Sequence, residues 1–443
     1  MKQILWFRRD LRTQDNKILE KASNEVMPIF IFDKNILEKL DIDDKRVTFI
    51  YEAVLTLKKS LQSLGLDLYI FNDTPKNVFM KLKKEGFDEV LCSSDFDSYA
   101  IKRDKEINEI IPLKRYLDSF LINPRKNLKK DGTPYKVFTP FYKSLSWLSS
   151  SDKIGEAQIN QNQKLYKYEN KTPSLEELGF KRADLPEFLE KTPQNRLNDF
   201  KEKVQEYGKN RDIFYKDGTS NLGVDLRFGT LSARMIFNEI KKFDKENSEV
   251  FIRQLFWREF YNYILFHFPN SENENWNGIE ISWNEDEEDF QKWCEGKTGV
   301  PIIDAAMRHF NKTGMMHNRL RMIVSSFLCK NLLIDWKKGE QYFAKKLLDY
   351  DASSNIGSWQ WAASTGADSV PYFRIFNPYL QSGKFDKEAT FIKSVIPELK
   401  DVDAKLIHVE GALKDKYISP IVQMKYSRDR AIRVFKEAKN AKV

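Results

Sequence analysis

The first part of the chain alternates short apolar runs with longer amphipathic stretches. QILWF (residues 3–7), VMPIFIF (26–32), LDLYIF (66–71) and DEVLCSS (88–94) are brief and rich in strand-forming residues. Residues 47–64, between the second and third runs, and 76–84, between the third and fourth, repeat their apolar positions at helical spacing. Strand–helix alternation of this kind predicts an α/β domain with a parallel sheet, assigned here to residues 1–125. A polar, turn-rich segment follows, with NPRKNLKKDGTPYK, a serine run at 149–151 and NQNQKLYKYENKTP. Residues 126–195 therefore read as a connecting segment. From 196 to 443 the pattern is helical almost throughout.

Within that helical part, individual faces can be read. In RQLFWREFYNYILF, Gln254, Trp257, Arg258 and Tyr261 recur at i, i+3, i+4 and i+7 and share one face, with Leu255, Phe256 and Phe260 on another. In MHNRLRMIVSSFLCKNLL, read as one helix, Leu320, Ile323, Val324, Phe327 and Leu328 form the buried stripe. Asn318 and Met322 share a different face, which Arg319 adjoins. In GSWQWAASTG the two tryptophans, Trp359 and Trp361, stand at i and i+2, roughly 200° apart on a helix. They must look at different surroundings.

The bulk numbers narrow the function class. The chain has 443 residues, 41% hydrophobic and 31% charged, and a mean hydropathy of −0.58. No stretch approaches a membrane span. MKQILWFRRDLR turns charged after a very short apolar run, unlike a secretory signal, so a cytoplasmic protein is expected. Cys92, Cys294 and Cys329 show no paired spacing, and the four histidines form no metal-ligand pattern. No metal is expected. A formal charge of +8 and a pI near 8.9 fit either lysine-rich solvated faces or a polyanionic partner. No GxGxxG is present, which excludes the ordinary dinucleotide fingerprint.

Two stretches concentrate chemistry. GTSNLGVDLRFGTLS (218–232) gathers Thr219, Ser220 and Asn221 just before a helix-like segment, where hydroxyls and amides can cap the helix or hold a phosphate. LDYDASSNIGSWQW (348–361) places Asp349 and Asp351 two apart and Asn355 four further on. These acids can cap a helix or accept from ribose hydroxyls and a flavin ring N–H. Trp283 and Trp336 are either core residues or relays for one-electron chemistry.

Taken together, WFRRDLRTQDN, GTSNLGVDLRFGTLS, WREFYNYI, GKTGVPIIDAAMR, MHNRLRM and NIGSWQWAASTGADSVPYFRIFNP resemble, in order and over nearly the whole chain, the photolyase/cryptochrome family of flavoproteins. The C-terminal set is most similar to bacterial class I photolyases acting on cyclobutane pyrimidine dimers. The resemblance implies an N-terminal α/β antenna domain, a helical domain that binds FAD and damaged DNA, and light-dependent repair by a monomer. It implies FAD contacts from Tyr207, Thr219, Ser220, Asn221, Leu222, Gly223, Arg258, Arg321, Asp349, Asp351 and Asn355. It implies an electron path through Trp359, Trp336 and Trp283. A lesion pocket would be walled by Trp257 and Trp361 and lined by Gln254, Asn318, Arg319 and Met322, with Gln254, Asn318 and Asn355 catalytic. Arg374, Gln381 and Lys384 would meet the DNA.

Several positions depart from the family pattern. Gln254 stands where dimer photolyases carry Glu; Gln is typical of (6-4) photolyases and animal cryptochromes. Those (6-4) enzymes place two His in the pocket, where this chain has Asn318 and Met322. Gly223 replaces a second Ser of the phosphate loop, and Phe251 replaces a Trp. Lys114 aligns with the Glu that holds a folate antenna, leaving the second chromophore open. A (6-4) photolyase and a blue-light-sensing cryptochrome are the alternative functions.

Overall fold

The structure, a computed structural model, describes residues 1–441. The chain forms two units interleaved along the sequence. One comprises Met1–Pro134, Tyr142–Gln205 and Ser220–Phe266; the other comprises Tyr135–Phe141, Glu206–Thr219 and His267–Val443.

The first unit is built on a parallel sheet. Its strands are β1 (Lys2–Phe7), β2 (Asn24–Asp33), β3 (Tyr69–Asp73), β4 (Glu89–Ser93), β5 (Leu113–Tyr116) and β6 (Gln163–Leu165). The order is β3-β2-β1-β4-β5, with Trp6 opposite Ile29 on one side and Cys92 on the other. The central strands read as unbroken apolar runs because a parallel sheet is covered on both faces. Ile4, Trp6, Ile29, Phe79 and Val90 are buried together on one of them. The covering helices start where the sequence offers caps: Asp44 for Lys45–Gln62, Thr74 for Pro75–Lys84 and Asp97 for Ser98–Ile110.

Two strands have no counterpart in the pattern reading. LKRY (β5) carries two charges in four residues, and QKL (β6) is too short and polar to register. β6 pairs with Asn24–Val26, while β3 pairs with Ile29–Asp33, so the long β2 serves both. Residues 126–195 are thus not a plain connection: they supply a strand and the short helices Phe138–Ser144, Ser146–Ser149 and Glu187–Glu190.

Buried ion pairs tie the loops that follow the strands to one another and to the helices of the same unit, and helix to helix. Arg12 meets Asp118 at 2.6 Å, Arg234 meets Asp118 at 2.8 Å and Asp15 at 2.9 Å, and Arg196 meets Asp225 at 2.6 Å. Gly229 caps the helix Gly223–Phe228 with φ +67°. A Cβ there would lie 2.0 Å from the Arg9 carbonyl oxygen, so only glycine permits the approach. The Leu11 amide donates to the Phe228 carbonyl at 3.2 Å, and Arg12 Nη1 to that of Gly229 at 3.1 Å. WFRRDLR and GVDLRFGT are therefore one packed element.

The second unit is helical. Glu287–Glu295, Pro301–Thr313, Asn318–Ser326, Trp336–Lys346, Ala352–Ala363 and Thr390–Val395 enclose a core that holds Trp293, Trp336 and Trp359. Leu320, Ile323, Val324, Phe327 and Leu328 are buried as the spacing predicts. The single helix expected there is not continuous: it widens into a π-helical turn over Phe327–Leu332 and stops at Leu333, which is left-handed at φ 60°. That turn brings Lys330 inside, fully buried, with Nζ donating to the Ala363 carbonyl at 3.1 Å and to Ser364 Oγ at 2.9 Å. Burial pushes the Lys330 pKa down to about 7. No helix among the described residues is long and apolar enough to cross a membrane.

Candidate functional site

The helix Ala352–Ala363 organises the second unit's polar residues. Asp351 caps it, accepting from the Ser354 amide at 3.2 Å and from Ser353 Oγ at 2.6 Å. Two residues earlier, Asp349 receives both its bonds from Arg321 Nη2, at 2.9 and 2.8 Å. Arg321 is itself fixed by Nε donating to the Met316 carbonyl at 2.7 Å. The pair stays partly open, with side-chain exposures of 14% for Asp349 and 29% for Arg321.

Asn355 is buried, and its Nδ2 donates to the Glu340 Oε1 at 3.0 Å and the Glu340 carbonyl at 3.3 Å. With its donors taken, the amide turns its Oδ1 the other way. Burial pushes the Glu340 carboxyl pKa up, against hydrogen bonds from Asn355 and Tyr350. Sequence reading missed Glu340, because a Glu in the lysine-rich WKKGEQYFAKK looks like a solvated face.

The expected phosphate loop divides between the two units. In the second, Tyr207 is buried and Gly218 presses on Asn210, where an added Cβ would come to 2.7 Å; Thr219 follows directly. In the first, Ser220 Oγ accepts from the Leu222 amide at 3.4 Å, and Asn221 is left-handed at φ 55°. Leu222 is buried, and Gly223 opens a helix of only six residues. Arg258 reaches that helix: Nη2 donates to the Leu226 carbonyl at 3.2 Å and Nη1 to that of Ser119 at 2.9 Å, over the Phe120 ring. It braces the loop's helix rather than standing free.

The two tryptophans of GSWQWAASTG do look at different surroundings. Trp359 is 3% exposed and packs edge-on against Phe343 at 5.1 Å and Trp293 at 6.0 Å. Gly339 makes room for it; a Cβ there would lie 2.3 Å from the ring. Trp361 is only half-buried. Between them Gln360 is 1% exposed and takes a third direction. Its Nε2 donates to the carbonyls of Ser271 at 2.6 Å and Glu274 at 3.1 Å, and its Oε1 accepts from the Trp276 amide at 2.9 Å. Trp336 is 1% exposed, with Nε1 donating to Asn275 Oδ1 at 2.7 Å. Trp283 is partly buried, edge-on to Phe435 at 5.8 Å.

The remaining expected residues fall as follows. On the helix Asn318–Ser326, Asn318 is exposed and its Nδ2 lies 3.7 Å from Met322 Sδ. His317 caps this helix through Nδ1, which accepts from the Arg319 amide at 3.1 Å. Burial pushes its pKa down to about 4, so it stays a neutral acceptor at neutral pH. Arg319 is paired with Asp212 at 2.9 Å and lies over Phe385. In the first unit, Gln254, Trp257, Arg258 and Tyr261 form a half-buried face, with Trp257 and Tyr261 rings 5.7 Å apart. Phe251 packs on Phe200 at 4.5 Å, and Lys114 is bound to Glu89 at 2.6 Å. Arg374 and Lys384 are exposed and Gln381 is half-buried. Beside them Phe373 and Leu380 are 60% and 71% exposed, which the pattern gave no reason to single out.

Comparison with known proteins gives the family. Residues 251–437 match the family described as the FAD binding domain of DNA photolyase, and residues 3–156 match that described as DNA photolyase. The deoxyribodipyrimidine photo-lyase of Alkalihalophilus pseudofirmus is 37% identical over 98% of this chain and 98% of its own. That of Vibrio cholerae is 35% identical over 99% of this chain and 100% of its own. A bacterial class III photolyase from Agrobacterium tumefaciens superposes with a TM-score of 0.87 at 31% identity, over 99% of this chain and 98% of its own. The chain belongs to the photolyase/cryptochrome family, with an α/β parallel-sheet domain followed by a mostly helical FAD-binding domain.

Proposed function

We propose that this protein is a light-dependent DNA repair enzyme that splits cyclobutane pyrimidine dimers, a deoxyribodipyrimidine photo-lyase of class I. The observation that carries this reading is the helix Ala352–Ala363, which joins the Arg321-bound acid, the cap Asp351 and the oriented Asn355 to one buried and one half-buried tryptophan. The residues fit a flavin nucleotide. Asp349 and Asp351 offer acceptors for ribose hydroxyls and a ring N–H. Asn355 offers the Oδ1 that Glu340 leaves free to turn outward. Tyr207, Thr219, Ser220, Asn221, Leu222 and Gly223 supply hydroxyls and amides for the phosphates, braced by Arg258. When bound, reduced FAD supplies, on excitation by light, the electron that opens the dimer, and recovers it afterwards.

The chain's own residues bind and position. A dimer within duplex DNA must leave the stack, at reduced cost because it stacks poorly. Trp257 and Trp361 cover the extruded bases, contributing about 1–3 kcal/mol per base. Arg319, Arg374, Gln381 and Lys384 hold the strand, which makes affinity fall with salt. Gln254 donates an amide hydrogen bond to the dimer but cannot lend it a proton. The protein acts as a cytoplasmic monomer. A folate antenna is not assigned, because Lys114, bound to Glu89, offers no acid at the expected position.

Gln254 favours a second reading, a (6-4) photolyase; Asn318 and Met322, at the positions of its two His, oppose it. The test is repair of both lesions under blue light by fully reduced enzyme. Dimer-containing DNA is restored; restoration of (6-4) DNA alone would overturn the class. Trp359→Phe blocks photoreduction of the oxidised cofactor, yet spares repair by pre-reduced protein. Normal photoreduction in that variant removes Trp359 from the electron path.

A further inference from the structure

Trp336 has one polar contact of note, and its partner lies on a loop that the function has not yet used. The Trp336 indole donates to Asn275 Oδ1 at 2.7 Å, and Asn275 Nδ2 donates to the Ile279 carbonyl at 2.6 Å. The second bond fixes the amide's orientation, so that its oxygen must face the indole. The loop is stitched in turn to the end of the tryptophan helix. Gln360 holds Ser271, Glu274 and Trp276, and Asn277 donates from Nδ2 to the Ser364 carbonyl at 3.0 Å, while its amide donates to the Thr365 carbonyl at 2.9 Å. The nearest carboxylate in sequence, Asp335, is turned to its own helix start, accepting from the Lys337 amide at 3.0 Å.

The order of the three rings follows from the same segment. Trp336 begins the helix on which Gly339, one turn along, seats Trp359. Trp283 adjoins the residues just before it: the Asn284 amide donates to the Leu333 carbonyl at 2.6 Å, and Trp283 packs in the cluster with Leu333. Trp336 is thus the middle ring, shielded from water, and Trp283 the partly exposed one.

A tryptophan that loses an electron becomes a cation whose N–H is strongly acidic. An amide oxygen can stabilise that cation by a charge-assisted hydrogen bond, but it cannot take the proton. We propose that Asn275 is a positioning residue for Trp336, holding its N–H without accepting the proton, so that positive charge passes on to Trp283 instead of being trapped midway. The inference rests on the electron path proposed above. One electron leaves Trp359 for the light-excited oxidised flavin, a one-electron oxidant. Trp336 refills Trp359, and Trp283 refills Trp336. The Trp283 N–H proton leaves to water, so the end products are a flavin one electron richer, a neutral tryptophan radical at 283 and a hydrated proton.

The test uses flavin-loaded oxidised protein, flash photolysis and radical spectra. Trp283→Phe removes the outlet, and lasting photoreduction falls. Adding Asn275→Asp supplies a base at the middle ring. The double variant regains lasting photoreduction about tenfold over Trp283→Phe alone, now with a neutral radical at Trp336. Asn275→Leu withdraws the bond without adding a base. The charge-separated state then returns about tenfold faster, the effect of one hydrogen bond to a charged group. In the dark, the Trp336 indole N–H of that variant exchanges faster with deuterated water. If Trp336→Phe leaves photoreduction intact, the electron path itself is wrong. If Trp336→Phe blocks it but Asn275→Asp neither rescues Trp283→Phe nor yields a neutral Trp336 radical, the role of Asn275 is wrong.

Discussion

The two units bury polar groups by different rules. Around the sheet, charges go inside as opposed pairs: Arg12 and Arg234 on Asp118, Arg234 on Asp15, Arg196 on Asp225, Arg8 on Asp104. Around the tryptophans, the work falls to neutral amides, the buried Gln360, Asn331 and Asn355 and the half-buried Asn275, and two buried acids of that unit, Asp304 and Asp386, take neutral donors instead of cations. The cation that does enter this region, Lys330, meets a carbonyl and a hydroxyl instead of an acid. Paired charges fix geometry because separating them inside a protein is costly. Neutral amides fix geometry too, but they add neither a strong local field nor a proton acceptor. That suits the movement of positive charge proposed for this region.

The sharpest way to break the contrast is to remove one acid from the first unit. Asp118→Ala leaves the buried Arg12 guanidinium without its ion-pair partner and takes one of two acids from Arg234, lowering stability by about 3–5 kcal/mol, read from denaturant midpoints. Burial alone pushes the Asp118 pKa up, but Arg12 and Arg234 outweigh it and hold it below the ordinary range. Its contribution is therefore fully present at neutral pH and is lost only as pH falls below the ordinary aspartate value, so the variant's deficit shrinks in acid. In the second unit, Gln360→Leu leaves three backbone groups without their partner and costs about 1–3 kcal/mol. It also loosens Asn275, so the Trp336 indole exchange quickens along with the loss.

The last contrast belongs to Lys330. With its folded pKa near 7, the unfolded chain binds more protons above that value, and stability rises with pH from about 7 toward the ordinary lysine range. The slope is at most about 1.4 kcal/mol per pH unit. Lys330→Met removes it, and flat melting temperatures across that window are the expected result; an unchanged slope would assign the titration to another group.

Much of the fold was legible because the sheet is covered on both faces. QILWF, VMPIFIF and DEVLCSS announce β1, β2 and β4 nearly to the residue. β5 and β6 were not, since strands of four and three residues carry too few side chains to show a period. The break after Ser326 was hidden for another reason: a π turn leaves the apolar stripe through Leu328 intact. Within the candidate site, the family resemblance named Arg321 and Asp349 together among the flavin contacts, and helical geometry alone separated Trp359 from Trp361. Glu340 and Asn275 escaped both. Each orients another side chain from a polar stretch whose composition is that of any surface, and only the fold reveals which neighbour it faces.

The close approach of Gly229 to Arg9 has a consequence for synthesis. Arg12 and the glycine carbonyl it binds are 217 residues apart. A ribosome adding about 5–20 residues per second needs roughly 10–45 s to deliver the second partner after the first. Throughout that interval the turn after β1 has no lid. Its arginines and aspartates then lack part of their final cover, and in water their charge keeps a nascent chain soluble until the cap arrives. A segment that ends as buried ion pairs thus begins as its own protection against premature association.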